Sequence, residues 1–289
     1  MDQKFYEALN QFMEEHNPKD MDEANKLLQE FINLYNNGKI DYEASPLAKA
    51  YEILEEAKDE VNEKKRVKLI KKALEVCPEC LEAKLMLAVH QDRPIKVLLD
   101  FKEALDEEKE RLKNMGWFAK EHIGHFYGIY ETRPYIGGLY GLANMYANAG
   151  MISRAIDVAK EILRLNESDN TGTRYLLMGL YAYLEDINNM NKLYNKYREE
   201  NLHMLVPFLV YYYKQGKYRE ALKYLDRIKK VNKNFVTYFE DGLESDGIPD
   251  AYSLGDMSEV EAVVSLFEFL FATVPGISEL IVEDIKDYV

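Results

Sequence analysis

The chain is poor in the residues that build covalent cross-links and catalytic centres. Its 289 residues include two cysteines, one tryptophan and five histidines. Two cysteines cannot form the disulfide framework of a small secreted domain. The sequence also lacks a G-x-S-x-G nucleophile elbow and a glycine-rich phosphate-binding loop. We therefore expect neither a catalytic activity nor a cofactor.

Basic residues are outnumbered, and a long apolar run is missing. Lys and Arg total 37 against 51 Asp and Glu, which gives a formal net charge of -14. Phosphate backbones are bound by neutralising lysines and arginines, so nucleic acid is not expected as a partner. The strongest apolar run, "VVSLFEFLFATV" at 263–274, contains Glu268 and is too short to span a bilayer. Because "MDQKFYEALN" has neither the basic start nor the apolar core of a signal peptide, we expect a cytoplasmic protein with no membrane partner.

The two cysteines stand together in "CPEC", as Cys77 and Cys80. Such a pair can be a redox dithiol or half of a zinc site. A second C-x-x-C is missing, however, and the motif ends the helical pattern "VKLIKKALEV" instead of following a strand. The sequence favours a turn between two helices in which the thiols serve as small residues.

Strand-type alternation is also missing, and apolar residues recur at helical spacing along most of the chain. The stretch 139–162 contains two amphipathic patterns separated by Gly150, and the stretch 205–228 contains two separated by Gly216. A glycine at such a break supplies the left-handed conformation that ends a helix. These two glycines are 66 residues apart, and a third helix pair, with Asp186 at its turn, lies between them. The spacing therefore corresponds to 33 residues per helix pair. The pattern predicts successive antiparallel helix pairs.

These units resemble tetratricopeptide (TPR) repeats. The matching positions are Leu142-Ala143, Tyr146, Gly150 and Ala155 in one unit, and Phe208-Leu209, Tyr212, Gly216 and Ala221 in another. The segments "GHFYGIYETRPY" and "LRLNESDNTGTRYLL" are similar to bacterial TPR proteins related to the suppressor-of-tumorigenicity-seven family. The resemblance implies an all-α fold, a right-handed superhelical α-solenoid of antiparallel helix pairs, and it carries no settled activity.

The expected organisation has three parts. An N-terminal helical cap covers 1–40, and TPR-like repeats cover 41–231, with an extra helix at about 116–130. An acidic loop and C-terminal capping helices cover 232–289. The acidic stretch "FEDGLESDGIPDAYSLGD" at 239–256 is either a connection or itself a binding element.

The stretch "AKEHIGHFYGIYETRPY" at 119–135 has two interpretations. The first interpretation is a metal- or small-molecule-dependent activity at His122, His125, Glu131 and Arg133, because His122 and His125 would be neighbours on a helix. The zinc-protease motif H-E-x-x-H is not present, which favours the second, a structural polar joint between adjacent helix pairs. The residues of that joint are His125, Glu131, Arg133, Asp169 and Arg174.

The TPR resemblance implies that the first helix of each pair lines a concave face. The positions placed there are Tyr140, Asn144, Asn148, Leu176, Leu180, Tyr183, Val206, Val210, Tyr213 and Lys214. Asn144 matches one position of the clamp with which some relatives hold a C-terminal carboxylate. Because the leucines and valines offer no cation, an extended or helical segment with apolar anchors suits this face better. We therefore expect a non-enzymatic scaffold or adaptor that binds a protein or peptide segment.

Overall fold

A computed structural model describes residues 3–40, 44–243 and 251–283. Within these ranges the secondary structure is helical, with no strand, so the all-α prediction is confirmed. The helices are α1 (Gln3–His16), α2 (Met21–Asn36), α3 (Pro46–Asp59), α4 (Glu63–Val76), α5 (Leu81–Ala88), α6 (Pro94–Asn114), α7 (Arg133–Asn148), α8 (Ile152–Leu165), α9 (Thr173–Tyr183), α10 (Ile187–Tyr197), α11 (Leu202–Lys214), α12 (Tyr218–Val231), α13 (Asn234–Glu240), α14 (Met257–Leu266), α15 (Glu268–Phe271) and α16 (Ile277–Val282). None of the helices described is both long and apolar enough to cross a membrane.

The chain forms two compact units that divide between Met115 and Gly116. The first unit contains α1 to α6, in which consecutive helices pack as pairs. Its third helix begins at a serine cap, since the Ser45 hydroxyl accepts a hydrogen bond from Ala48 N (3.1 Å) and Pro46 follows in the first turn. The same hydroxyl donates to Glu7 Oε1 (2.7 Å), which joins the start of α3 to α1.

The C-P-E-C segment is a turn between α4 and α5, as the sequence predicts. Cys80 N donates to Cys77 O (3.1 Å), and both thiols are free. Cys80 is buried in the core of the first unit, and this burial raises its pKa to about 11. At neutral pH the thiol is therefore uncharged and packs as a small apolar residue.

The second unit contains three consecutive helix pairs, α7–α8, α9–α10 and α11–α12. Each first helix ends with the same backbone hydrogen bond, in which an amide donates to the carbonyl five residues earlier. These bonds are Met151 N to Tyr146 O (2.8 Å), Asp186 N to Tyr181 O (2.8 Å) and Lys217 N to Tyr212 O (3.0 Å). Gly150 and Gly216 have the left-handed conformation there, and Glu185 adopts it in the middle pair. The three pairs thus share the same type of turn between their helices.

The prediction of an extra helix at about 116–130 is wrong. This segment is a chain of single turns, in which amides 119, 122, 125 and 128 each donate to the carbonyl three residues earlier. Gly124, at a φ of 94°, interrupts any helical path. Its carbonyl accepts from Glu167 N (2.9 Å), while Phe126 N donates to Leu165 O (3.0 Å). Long-range backbone pairing to the end of α8 therefore replaces the local helical bonds.

The C-terminal helices pack against the first helices of the three helix pairs. Helix α14 lies against α11, and α15 lies against α9 and α7. The Phe267 and Phe269 rings fit against Gly179, where a Cβ atom would lie 2.6 Å from Phe267 Cδ1 and 3.2 Å from Phe269 Cζ. Beyond α15, the carbonyl of Pro275 accepts a hydrogen bond from the Tyr213 hydroxyl (2.6 Å). The chain thus covers part of its own first-helix face.

Candidate functional site between the first helices and the C-terminal segment

Four of the ten positions predicted for an open concave face are core residues, which corrects that prediction. They are Leu176, Leu180, Val206 and Val210, each with no exposed surface. The physical reason is the packing of α14 and α15 on α9 and α11. An apolar face at helical spacing must be buried against something, and in this chain the described C-terminal helices contribute that cover.

Three further predicted positions contact neighbouring parts of the chain. Tyr183 packs against Phe269, with ring centroids 6.2 Å apart. Lys214 Nζ donates to Tyr183 O (2.6 Å) and pairs with Glu185 Oε1 (3.3 Å). Tyr213 holds the carbonyl of Pro275. Tyr183 and Tyr213 therefore connect the first-helix face to the C-terminal segment, while Lys214 connects α11 to the end of α9.

The remaining predicted positions all lie on α7. Asn148 is exposed, and Asn144 Nδ2 donates to Tyr140 O (2.9 Å) within the helix. Tyr140 lines a cavity in the second unit. Tyr140 is thus the one residue of the ten predicted positions that lines this cavity.

Two residues of the predicted polar joint, Asp169 and Arg174, lie together at the start of α9. Arg174 Nη1 donates to Asp169 Oδ2 (2.8 Å). The buried Asp169 carboxylate also accepts the amides of Thr173 (2.7 Å) and Arg174 (3.1 Å), so it caps the helix. The other side of the Arg174 guanidinium meets Glu199, after α10, through Nε (3.3 Å). The guanidinium thereby connects the start of α9 to the chain beyond α10.

The other predicted joint residues are placed differently. Arg133 Nε donates to Tyr127 O (2.8 Å), and its guanidinium lies 5.3 Å from the Tyr127 ring centroid. His125 and Glu131 are exposed, although the backbone of His125 forms a bridge with Asn166. The joint at this point is made by backbone pairing.

The metal interpretation concerns the same segment. His122 packs edge-on against Trp117, with centroids 5.0 Å apart, while the side chain of His125 is exposed. Across the described residues, no group of three or more His, Cys, Asp or Glu side chains could hold a metal ion.

The cavity has a volume of about 420 Å³. It lies between the start of α9, the start of α11, the middle of α7 and the segment that leads into α14. Its lining residues are Tyr140, Asp169, Asn170, Thr171, Gly172, Arg174, Tyr175, His203, Tyr252, Ala262 and Leu266. Four elements distant in sequence thus contribute to one concave, aromatic-rich site.

A column of stacked groups forms one side of the cavity. The Arg174 guanidinium lies 4.1 Å from the Tyr175 ring centroid. The Tyr175 and His203 centroids are 4.6 Å apart, and those of His203 and Tyr252 are 5.4 Å apart. Tyr252 ends the column and is 40% exposed, so part of its ring remains accessible. The column thus brings side chains of α9, α11 and the C-terminal segment into contact.

Arg174 and Tyr175 are hydrogen-bonded to neighbouring side chains, whereas the buried Nδ1 of His203 has no hydrogen-bond partner among the described residues. Hydrogen bonds occupy four of the five N–H donors of Arg174, and Nη2 also lies 3.2 Å from Glu199 Oε1. The Tyr175 hydroxyl donates to Glu199 Oε2 (2.7 Å) and accepts from Asn201 Nδ2 (3.1 Å). The cavity therefore offers ring surfaces and the hydroxyl-bearing side chains of Tyr140 and Tyr252 more than unpaired charges.

Burial disfavours the charged forms of the titratable side chains that line this cavity, whether the charge is negative or positive. Burial raises the pKa of Tyr140, and the charge of Asp169 raises it further. Burial and then the charge of Glu259 raise the pKa of Tyr252. His203 is buried, which lowers its pKa to about 4, and the neighbouring Arg174 lowers it as well. At neutral pH the imidazole is uncharged.

Sequence reasoning missed Tyr175, His203 and Tyr252. His203 follows Asn201, which caps α11 by accepting from Met204 N (3.0 Å), so local sequence places it only in a first helical turn. Tyr252 belongs to the acidic stretch at 239–256, of which 244–250 lie outside the described residues. Nothing in the sequence predicts that a residue of this stretch lies next to α9 and α11.

Comparison with known proteins adds no identification. No protein-family model matches the chain, and a search of curated proteins found no match.

Proposed function

We propose that this chain is a non-enzymatic scaffold built on TPR-like repeats, which binds a protein or peptide segment at the cavity between α7, α9, α11 and the C-terminal segment. The observation that carries the proposal is the cavity itself, with Tyr140, Tyr175, His203 and Tyr252 around it. This site replaces the long concave groove expected from the sequence, because most of that groove is filled by the chain.

The dimensions of the cavity support an anchoring role. Ligand pockets typically have volumes of about 300–1,000 Å³, so about 420 Å³ is at the small end. One or two side chains of a bound segment would fill it. Aromatic rings such as Tyr140 and Tyr252 supply large contact areas at a low cost in side-chain entropy, as in many peptide-binding sites.

The chemistry of the lining residues favours binding over catalysis. Asp169 accepts three hydrogen bonds from α9 and Arg174, so it is engaged in the fold. A histidine with a pKa of about 4 is a weak base at neutral pH, where efficient general bases have a pKa close to the operating pH. Neither group is poised for proton transfer.

Selection from a displayed peptide library tests this proposal. Peptides enriched on the parent protein should lose binding to Thr171→Trp, because the new ring would fill the cavity that Thr171 lines. Thr273→Trp introduces the same ring at an exposed position that does not line the cavity, and it should retain binding. Folding of both variants is checked by circular dichroism. Enriched peptides that bind Thr171→Trp as well as the parent protein would overturn the proposal.

A further inference from the structure

We propose that the cavity selects a basic side chain, lysine or arginine, of the bound segment. This inference rests on the proposed function, because it specifies the anchor of the segment that the cavity would bind. It is carried by the arrangement of rings around the cavity, by the engagement of the Arg174 guanidinium with neighbouring side chains and by the excess of carboxylates nearby.

The ring arrangement suits a cation. A cation within about 6 Å of an aromatic ring centroid is attracted by the negative face of the ring. His203 covers one side of Tyr252, which ends the stacked column and remains partly exposed. Tyr140 lines the same cavity from α7. A cationic group could therefore lie against the rings of both tyrosines.

Arg174 is not available to recognise an anion. Four of its N–H donors point at Asp169, Glu199 and Tyr175. A ligand carboxylate would have to displace one of these acceptors and leave it unsatisfied, at a cost in free energy. The carboxylate clamp known from some TPR proteins is thus not reproduced at this cavity.

Carboxylates outnumber cations around the cavity. The single guanidinium of Arg174 is paired with two acids, Asp169 and Glu199. Glu259 is fully buried, and its charge acts on Tyr252; its Oε2 accepts hydrogen bonds from Asn232 and Gly255, while its Oε1 has no hydrogen-bond partner among the described residues. The uncharged imidazole of His203 adds nothing to balance them. The formal net charge of -14 acts in the same direction at longer range, since it attracts basic segments.

Short peptides that differ in one side chain test the proposal directly. The probes are acetyl-Gly-X-Gly-amides in which X is lysine, trimethyllysine, arginine, norleucine or glutamate. Binding is measured by NMR titration of the parent protein, Tyr252→Ala, Tyr252→Phe and Tyr218→Ala. Tyr218 is a matched control because it is also 40% exposed but lies on α12, outside the cavity lining.

The three cationic peptides should bind the parent protein about tenfold more tightly than the norleucine peptide, within the range of cation–π attraction. The glutamate peptide should bind most weakly. Tyr252→Ala should remove the preference for cations, whereas Tyr252→Phe and Tyr218→Ala should keep it. Equal binding of lysine and norleucine, tighter binding of glutamate, an unchanged preference in Tyr252→Ala, or no binding of any probe at millimolar concentration would overturn the inference.

The two proposals fail in different ways. If library peptides bind in a cavity-dependent manner but carry no basic anchor, the cation inference is wrong and the proposed function stands. If the tripeptides show the cation preference but no library peptide depends on the cavity, the proposed function is wrong, and the inference is then limited to isolated cations and fails as a statement about a protein segment.

Discussion

The Phe267 ring lies where a Cβ atom on Gly179 would have to be, with Cδ1 only 2.6 Å from that position. Gly179 is in the middle of α9, and Phe267 joins α14 to α15. The absence of a side chain at 179 thus permits the C-terminal helices to approach the first-helix face. This close approach contributes to the burial of the α9 part of that face.

Replacement of Gly179 by alanine should destabilise the protein. Alanine favours a helix over glycine by about 1 kcal/mol, but it would here collide with two packed rings. Overpacking of a core costs about 1–3 kcal/mol, so we expect a net loss of free energy of unfolding. Urea denaturation measures it.

Gly137→Ala is the matched control, since Gly137 is an exposed residue of α7 with no atom within 4 Å of the position that an added Cβ would occupy. That variant should gain about 0.5–1 kcal/mol from helix propensity alone. If both variants gain stability, the packing of Phe267 against Gly179 does not hold the C-terminal helices in place.

Removal of Arg174 should be costly because it leaves a buried carboxylate without its cation. The Asp169 side chain has no exposed surface, while that of Arg174 is 17% exposed. Breaking a fully buried pair costs about 3–5 kcal/mol, so Arg174→Ala should lower the free energy of unfolding by about 3 kcal/mol.

Arg164→Ala provides the comparison, because Arg164 also pairs with a carboxylate, Glu161, but its side chain is 49% exposed. Surface pairs contribute less than about 1 kcal/mol. Similar losses for the two arginines would show that the Asp169 pair is not a structural element of the α9 terminus.

His203 should make stability depend on pH. Burial lowers its pKa from the ordinary 6.5 to about 4, so the unfolded chain takes up a proton at a pH where the folded chain does not. This group therefore reduces stability as the pH falls from about 6.5 towards 4, and has little effect above that window. The loss between pH 7 and pH 5 should be about 2 kcal/mol.

Urea titrations at pH 7 and pH 5 test this expectation with His203→Gln, which removes the titrating group. The variant should lose about 2 kcal/mol less than the parent protein over this interval. His125→Gln, at an exposed position, serves as the control and should follow the parent protein. An equal pH dependence for His203→Gln and the parent protein would contradict a buried neutral imidazole.

Features set by neighbouring residues could be predicted from the sequence. Ser45 with Pro46 begins α3, and Gly150 and Gly216 end α7 and α11, because caps and left-handed turns depend on a few adjacent residues. The turn at Cys77 and Cys80 belongs to the same class. Apolar spacing likewise identified the helices and their pairing within each repeat.

Features set by residues far apart in the chain could not. The 116–130 segment has residues compatible with a helix, but backbone pairing of Gly124 and Phe126 with the end of α8 selects turns instead. The apolar character of Leu176 and Val206 indicates a face that needs a cover, without showing whether a partner or the chain itself supplies that cover. Tyr140, Tyr175, His203 and Tyr252 come together only through the packing of α7, α9, α11 and the segment that leads into α14. Local sequence specifies a helix and its apolar face, whereas the partner of that face is chosen by the free energy of burial over the whole unit.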